Sequence, residues 1–277
     1  MAHGRIAFSA GPVHAEDIFV VDADGSNLQK LTTDPGADFD PAWSPDGAFI
    51  AYRHQPGDDK TAEIYVMNAD GSDPHPITHN SVADWGPTWT ADGRVSWNSG
   101  LDRNGQPMNS GFHLAVAEPD GSGYEQVGDA LVEYPAWSPD GRRVAFMQQR
   151  PDAVGSNPNY DVFMMNTDGT GLVQVTDAPG EDGWPAWSPD GQWLAFSSAR
   201  DTDDSAAGIT FHLFVARRDG REMRRVTTAF AQFSDWSSDG RRLLFSPGVN
   251  VIDVDGSDLH AIPVGVSGEV EFVDQAP

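Results

Sequence analysis

The chain of 277 residues contains no cysteine, which excludes disulfides, thiolate nucleophiles and cysteine-ligated metals. Lysine is nearly absent as well: Lys30 and Lys60 are the only two among 17 basic residues, set against 42 acidic ones. At a formal net charge of −25, a nucleic-acid backbone or an anionic membrane surface would be repelled, while cations and neutral ligands would not. No apolar run approaches the length of a membrane span, so no insertion into a bilayer is expected. Missing too are a helical period of useful length and the signatures His-Glu-x-x-His, His-x-x-x-His and Gly-x-Ser-x-Gly, so no catalytic residue is assigned. The first strand is expected at Gly4-Arg5-Ile6-Ala7-Phe8, leaving no room for a signal peptide. The compartment stays open on this reading: cytoplasmic if Met1 is the native start, periplasmic or secreted if an export signal has been removed.

What the chain does have is a repeated phrase. Pro185-Ala186-Trp187-Ser188-Pro189-Asp190-Gly191 recurs almost letter for letter at Pro41 to Gly47 and Pro135 to Gly141, and in altered form at Pro87 to Gly93 and Ser234 to Gly240. Proline sets φ for the second position of a tight turn, aspartate bonds its own backbone, and glycine takes the positive φ that closes it. A second turn signal, Asp-Gly, follows each time at the end of a β-rich run, at Gly25, Gly71, Gly121, Gly169, Gly220 and Gly256. Six residues beyond each of these glycines stands one branched apolar residue: Leu31, Ile77, Val127, Val175, Val226 and Ile262. Much of the acidity is therefore turn aspartate.

Four strands per unit and a Trp-to-Trp spacing of 46 to 50 residues predict an all-β fold: a six-bladed β-propeller of four-stranded antiparallel blades. The blades are expected at about 4–33 plus 268–275, 38–79, 84–128, 132–176, 181–227 and 232–263, as one domain and a monomer. Five copies of the first turn exist, and the chain opens on the segment that follows such a turn. The innermost strand of the first blade must then come from the C-terminus. Tryptophan follows the second-turn glycine by 16 or 18 residues, and 16 beyond Gly256 is Phe272. Glu269 to Val273 is thus expected to close the ring beside Arg5, with Phe272 in the place of the tryptophan, removing the exposed edge.

Both tight turns fall on one side of such a disc. The long connections fall on the other, a loop face: Gln55 to Ala62, Asn98 to Gly111, Gln149 to Tyr160 and Ala199 to Phe211. The inner strands begin on that face, which is where function is expected. Converging carboxylates Asp38, Asp84, Glu133 and Asp182 could hold a hard cation, with Ca²⁺ in the central channel the expected ion. The aromatics Trp85, Tyr134, Trp184 and Phe233 could form a stacking floor for a sugar, or a box for a cationic group. His113 and His212 share one repeat position, just before the third strand, and could supply a general base, a metal ligand or a contact to a bound ligand. Arg53 and Arg200, at the ends of second strands, could bind a carboxylate. The Asp-x-Asp-Gly-Ser stretches are turns, since they lack the twelfth-position glutamate and flanking helices of a calcium loop.

The combined pattern, Asp-Gly-[Ser/Thr] with a branched residue and threonine beyond it, then Pro-Ala-Trp-Ser-Pro-Asp-Gly and an apolar return strand, resembles the TolB-like propeller repeats, also called PD40 or WD40-like. The resemblance covers essentially the whole chain and implies six blades. It also implies one of several roles: a protein-binding platform, an appendage of prolyl-oligopeptidase-type peptidases, or an enzyme acting at the channel mouth. The first reading is a non-enzymatic binding platform, holding a protein segment or small ligand at the loop-face mouth. The alternative is a metal-assisted hydrolase, lyase or cyclase using the same mouth.

Overall fold

The computed structural model describes residues 4–57, 62–101, 105–108, 111–150, 159–201, 210–266 and 269–276. The long connections expected at 55–62, 98–111, 149–160 and 199–211 lie in part outside these. Twenty-four strands form six four-stranded antiparallel sheets. Five are built in chain order from the inside outwards, except as noted. The second blade holds β4 (Ala37–Trp43), β5 (Phe49–Gln55), β6 (Glu63–Asn68) and β7 (His75–Pro76). The third holds β8 (Asp84–Trp89), β9 (Val95–Ser99), β10 (His113–Ala117) and β11 (Glu125–Leu131). The fourth holds β12 (Glu133–Trp137), β13 (Arg143–Gln149), β14 (Tyr160–Asn166) and β15 (Val173–Gln174). The fifth holds β16 (Asp182–Trp187), β17 (Trp193–Ser198), β18 (His212–Arg217) and β19 (Arg224–Arg225). The sixth holds β20 (Gln232–Trp236), β21 (Arg242–Ser246), β22 (Asn250–Asp253) and β23 (His260–Ala261). The exception is the first blade, where β1 (Arg5–Gly11), β2 (Asp17–Asp22) and β3 (Gln29–Lys30) take their inner partner from the other end of the chain, β24 (Glu269–Gln275).

Each repeated letter has a bond to make. In the first turn, Ser44 Oγ donates to Asp46 Oδ1 at 2.7 Å and accepts the Phe49 N–H at 2.9 Å, tying both ends of the hairpin. The same pair of bonds recurs through Ser138, Ser188 and Ser237. In the second turn, Asp24 Oδ1 accepts the Ser26 N–H at 2.9 Å while Gly25 sits at φ +83°. The threonine behind the branched residue caps the third strand: Thr32, Thr78, Thr176 and Thr227 Oγ1 accept the N–H of Ile18, Ile64, Val162 and Leu213 at 2.9–3.0 Å. These side-chain bonds supply the backbone partners that short strands otherwise lack.

The apolar core lies between blades. Ala7, Ile18 and Val20 of the first blade pack on Trp43, Ile50, Tyr52 and Met67 of the second. Equivalent clusters fill the other junctions. The last of these joins Ile6, Phe8 and Val21 to Leu244, Val249, Val251 and Ile262, so the first and sixth blades share a core and the ring is closed. Indole N–H groups staple neighbours together: Trp89 Nε1 donates to the Ala42 carbonyl, Trp187 to Ala136 and Trp236 to Ala186, at 2.9–3.1 Å.

β24 does pair with β1, but its register corrects the count made from turn spacing. Gln275 stands opposite Ile6 as Trp43 stands opposite Ile50, so Gln275 and not Phe272 takes the tryptophan place. Phe272 falls at the register shift three residues earlier. The reason is that the spacing from glycine to tryptophan varies, whereas pairing with β1 is set by the sheet itself.

Candidate functional site

Every inner strand breaks register at one place. In β4, β8, β12, β16 and β20 the shift falls at or beside Asp40, Gly86, Tyr134, Trp184 and Phe233. Those five residues adopt φ between +46° and +57°. Such bulges re-aim side chains. For the bulky aromatics a left-handed backbone costs roughly 1–3 kcal/mol each, strain that persists only where the surrounding structure imposes it. All five line one cavity of about 270 Å³ in the central channel.

The cavity walls are small or stiff. Pro41, Ala42, Pro87, Thr88, Pro135, Ala136, Pro185 and Ala186 lie along it, with Ser234 and Asp235 completing the described lining on the sixth blade. These residues follow the bulge, towards the first tight turn, and Pro139 of that turn is at the rim. Among the described residues, none that precedes the bulge contributes. The cavity therefore runs from the bulge layer to the tight-turn face, on the opposite side of that layer from the loop-face mouth where the sequence placed the site.

Aromatic rings form the layer that ends it. Tyr134, Trp184 and Phe233 meet with centroids 5.2–6.2 Å apart, and Phe211 stands edge-on to Trp184 at 5.2 Å. Beside them Arg53 is held between the Phe39 and Trp85 rings, its guanidinium carbon 4.4 and 4.5 Å from their centroids. Arg53 Nε lies 3.4 Å from Asp40 Oδ2, and the second carboxylate oxygen, Oδ1, is buried with no hydrogen-bond partner. Burial raises the Asp40 pKa more strongly than Arg53 and the Gly86 N–H lower it. Burial and the same carboxylate push the Tyr134 phenol up.

Of the sequence candidates, Arg53, Trp85, Tyr134, Trp184 and Phe233 are thus brought together. The four carboxylates expected to share a cation each have a partner in their own neighbourhood, although Asp84 Oδ1 and Asp182 Oδ1 are buried without one. His54 Nδ1 lies 2.7 Å from Asp38 Oδ1, Asn80 Nδ2 donates to Asp84 at 2.7 Å, Tyr160 donates to Glu133 at 3.1 Å, and Arg200 pairs with Asp182 at 2.8 Å. Among the described residues no group of three or more His, Asp or Glu side chains is arranged to hold a metal. Arg200 also stacks on Phe196 and Phe214, so it is built into its blade. His113 Nδ1 faces the Ala130 carbonyl at 3.3 Å. His212 is buried, and desolvation reinforced by Arg225 lowers its pKa. Asp40, one of the residues just before a Pro-x-Trp element, was expected at the channel mouth; Phe39 was missed, its one signal being that it is the apolar residue before Asp40.

The architecture is that of a six-bladed β-propeller with a cavity of about 270 Å³ in its channel. Residues 129–260, just under half of the chain, match the TolB beta propeller domain family, PD40. No curated protein matches it by sequence. Among solved structures it is similar to a putative TolB from Agrobacterium tumefaciens, with 17% identity, a TM-score of 0.73 and 99% of each chain covered. A gluconolactonase from Xanthomonas campestris gives 18% identity and a TM-score of 0.62, covering 92% of this chain and 82% of that one. An oligogalacturonate lyase in complex with manganese gives 15% identity and a TM-score of 0.60, covering 93% and 73%. At these identities the likeness is one of fold.

Proposed function

We propose that this protein is a non-enzymatic binding module that takes a small molecule, or the tip of a protein segment, into the channel cavity. The observation that carries this reading is the bulge layer. Four inner strands hold Asp40, Tyr134, Trp184 and Phe233 in a left-handed backbone, and all four side chains line the same 270 Å³ space. That volume is near the lower end of ligand pockets and far below what a folded domain would need. A wall of proline, alanine and aromatic residues suits shape-selective binding. The same fold serves TolB, a lactonase and a lyase, so the architecture alone decides nothing. The test is Thr88→Trp, which fills the channel from a half-buried wall position and leaves the rim loops untouched. Wild type and variant would be passed over a library of small molecules and short peptides. Compounds retained by the wild type should be lost by a variant that still melts cooperatively, and equal retention would overturn the reading.

A further inference from the structure

Resting on the channel as the binding site, we infer that its ligand class is the organic cation: an alkylammonium group, free or carried on a longer molecule. The layer already shows that it can hold such a charge. Arg53 lies flat between Phe39 and Trp85 at 4.4 and 4.5 Å, and ring faces attract cations through their quadrupole, most strongly when water is excluded. On the cavity side the layer offers the same two ingredients. Tyr134, Trp184 and Phe233 supply aromatic surface at mutual distances of 5.2–6.2 Å. Asp40 supplies a buried carboxylate whose Oδ1 makes no hydrogen bond. Arg53 neutralises that carboxylate from one side only, through Oδ2.

An anion would meet Asp40 and Asp235 with no cationic side chain among the described lining. A neutral apolar ligand would leave the Asp40 oxygen as it stands. A cation gains from the rings, from Asp40 and from a chain whose net charge of −25 raises its local concentration.

The experiment compares choline with 3,3-dimethylbutan-1-ol, an uncharged molecule of the same shape, by isothermal titration at low salt. A third arm uses N-acetyl-lysine amide, to separate a free ammonium ligand from a side chain presented by a peptide. The expected result is at least tenfold tighter binding of choline, or of the lysine derivative, than of the alcohol. Asp40→Asn should remove that preference, bringing choline to the level of the alcohol in the same variant, and Trp184→Ala should weaken every arm. Equal binding of charged and neutral probes, abolished by Thr88→Trp, would overturn the charge assignment and leave the channel site standing. Absence of binding by all three probes would also overturn it, whatever the library screen returns for Thr88→Trp.

Discussion

Asp40 and Arg53 form an ion pair buried in the middle of the propeller, with Nε 3.4 Å from Oδ2 and side chains only 7% and 8% exposed. Removing one partner of such a pair strands the other charge, at a cost of about 3–5 kcal/mol. Arg53→Met should therefore lower stability by that amount in chemical denaturation at pH 7. Arg53→Met combined with Asp40→Asn should recover most of the loss. A double variant no more stable than the single one would mean that Asp40 carries no charge in the folded protein.

The inter-blade indole bonds provide their own control. Trp89 Nε1 donates to Ala42, whereas Trp137 Nε1 is buried without a partner. Trp89→Phe and Trp137→Phe remove the same volume, but only the first breaks a hydrogen bond, worth about 0.5–1.5 kcal/mol net. The Trp89 variant should be the less stable by that margin. Equal losses would show that the staple contributes nothing beyond packing.

Asp84 gives the chain a particular pH dependence. Its side chain is fully buried, and desolvation raises its pKa to about 6 despite the bond from Asn80. A carboxyl with a raised folded pKa binds its proton more tightly in the native state. Stability is then greatest below the unfolded value near 3.8 and falls as pH rises towards 6, by roughly 2–3 kcal/mol for this group. Asp84→Asn should flatten the curve across that window and match or exceed the wild type at pH 7.5. Thermal midpoints at pH 4, 5, 6 and 7.5 would read this directly. A variant that loses more stability at pH 7.5 than at pH 4 would show that the ionised form is favoured.

Much of the architecture was legible because the turns announce themselves. Ser44, Asp46 and Gly47 each have a fixed bond or dihedral to satisfy, so their letters recur wherever the hairpin does. The position of Phe272 was misplaced because the closing strand lacks those letters and had to be counted from a spacing that varies. At the site, Tyr134, Trp184 and Phe233 could be picked out as aromatics before the Pro-x-Trp element. The role of Asp40 could not. The bulge breaks the two-residue alternation that assigns faces, so which neighbour turns into the channel depends on backbone geometry that spacing does not encode. For the same reason Asp38, Asp84, Glu133 and Asp182 looked convergent in sequence. Their partners His54, Asn80, Tyr160 and Arg200 become visible only once pairing is known.

Closure by β24 can be tested by removal. Deleting residues 269–277 exposes the inner edge of β1 from Ile6 to Gly11, now paired along its length, and an unpaired edge of that kind templates association. The truncated chain should lose several kcal/mol, roughly 10 °C or more in melting midpoint, and run as oligomers in size-exclusion chromatography. A truncated protein that stays monomeric with an unchanged midpoint would mean that the first blade does not need its fourth strand.

The left-handed bulge separates what holds the disc together from what the channel displays. Serine, aspartate, glycine and tryptophan are spent on hairpins and seams, while the single bulge position varies from blade to blade as Asp40, Gly86, Tyr134, Trp184 and Phe233. Exchange at Gly86, Tyr134, Trp184 or Phe233 changes the channel lining without touching the hairpin bonds, whereas exchange at Asp40 also breaks its pair with Arg53.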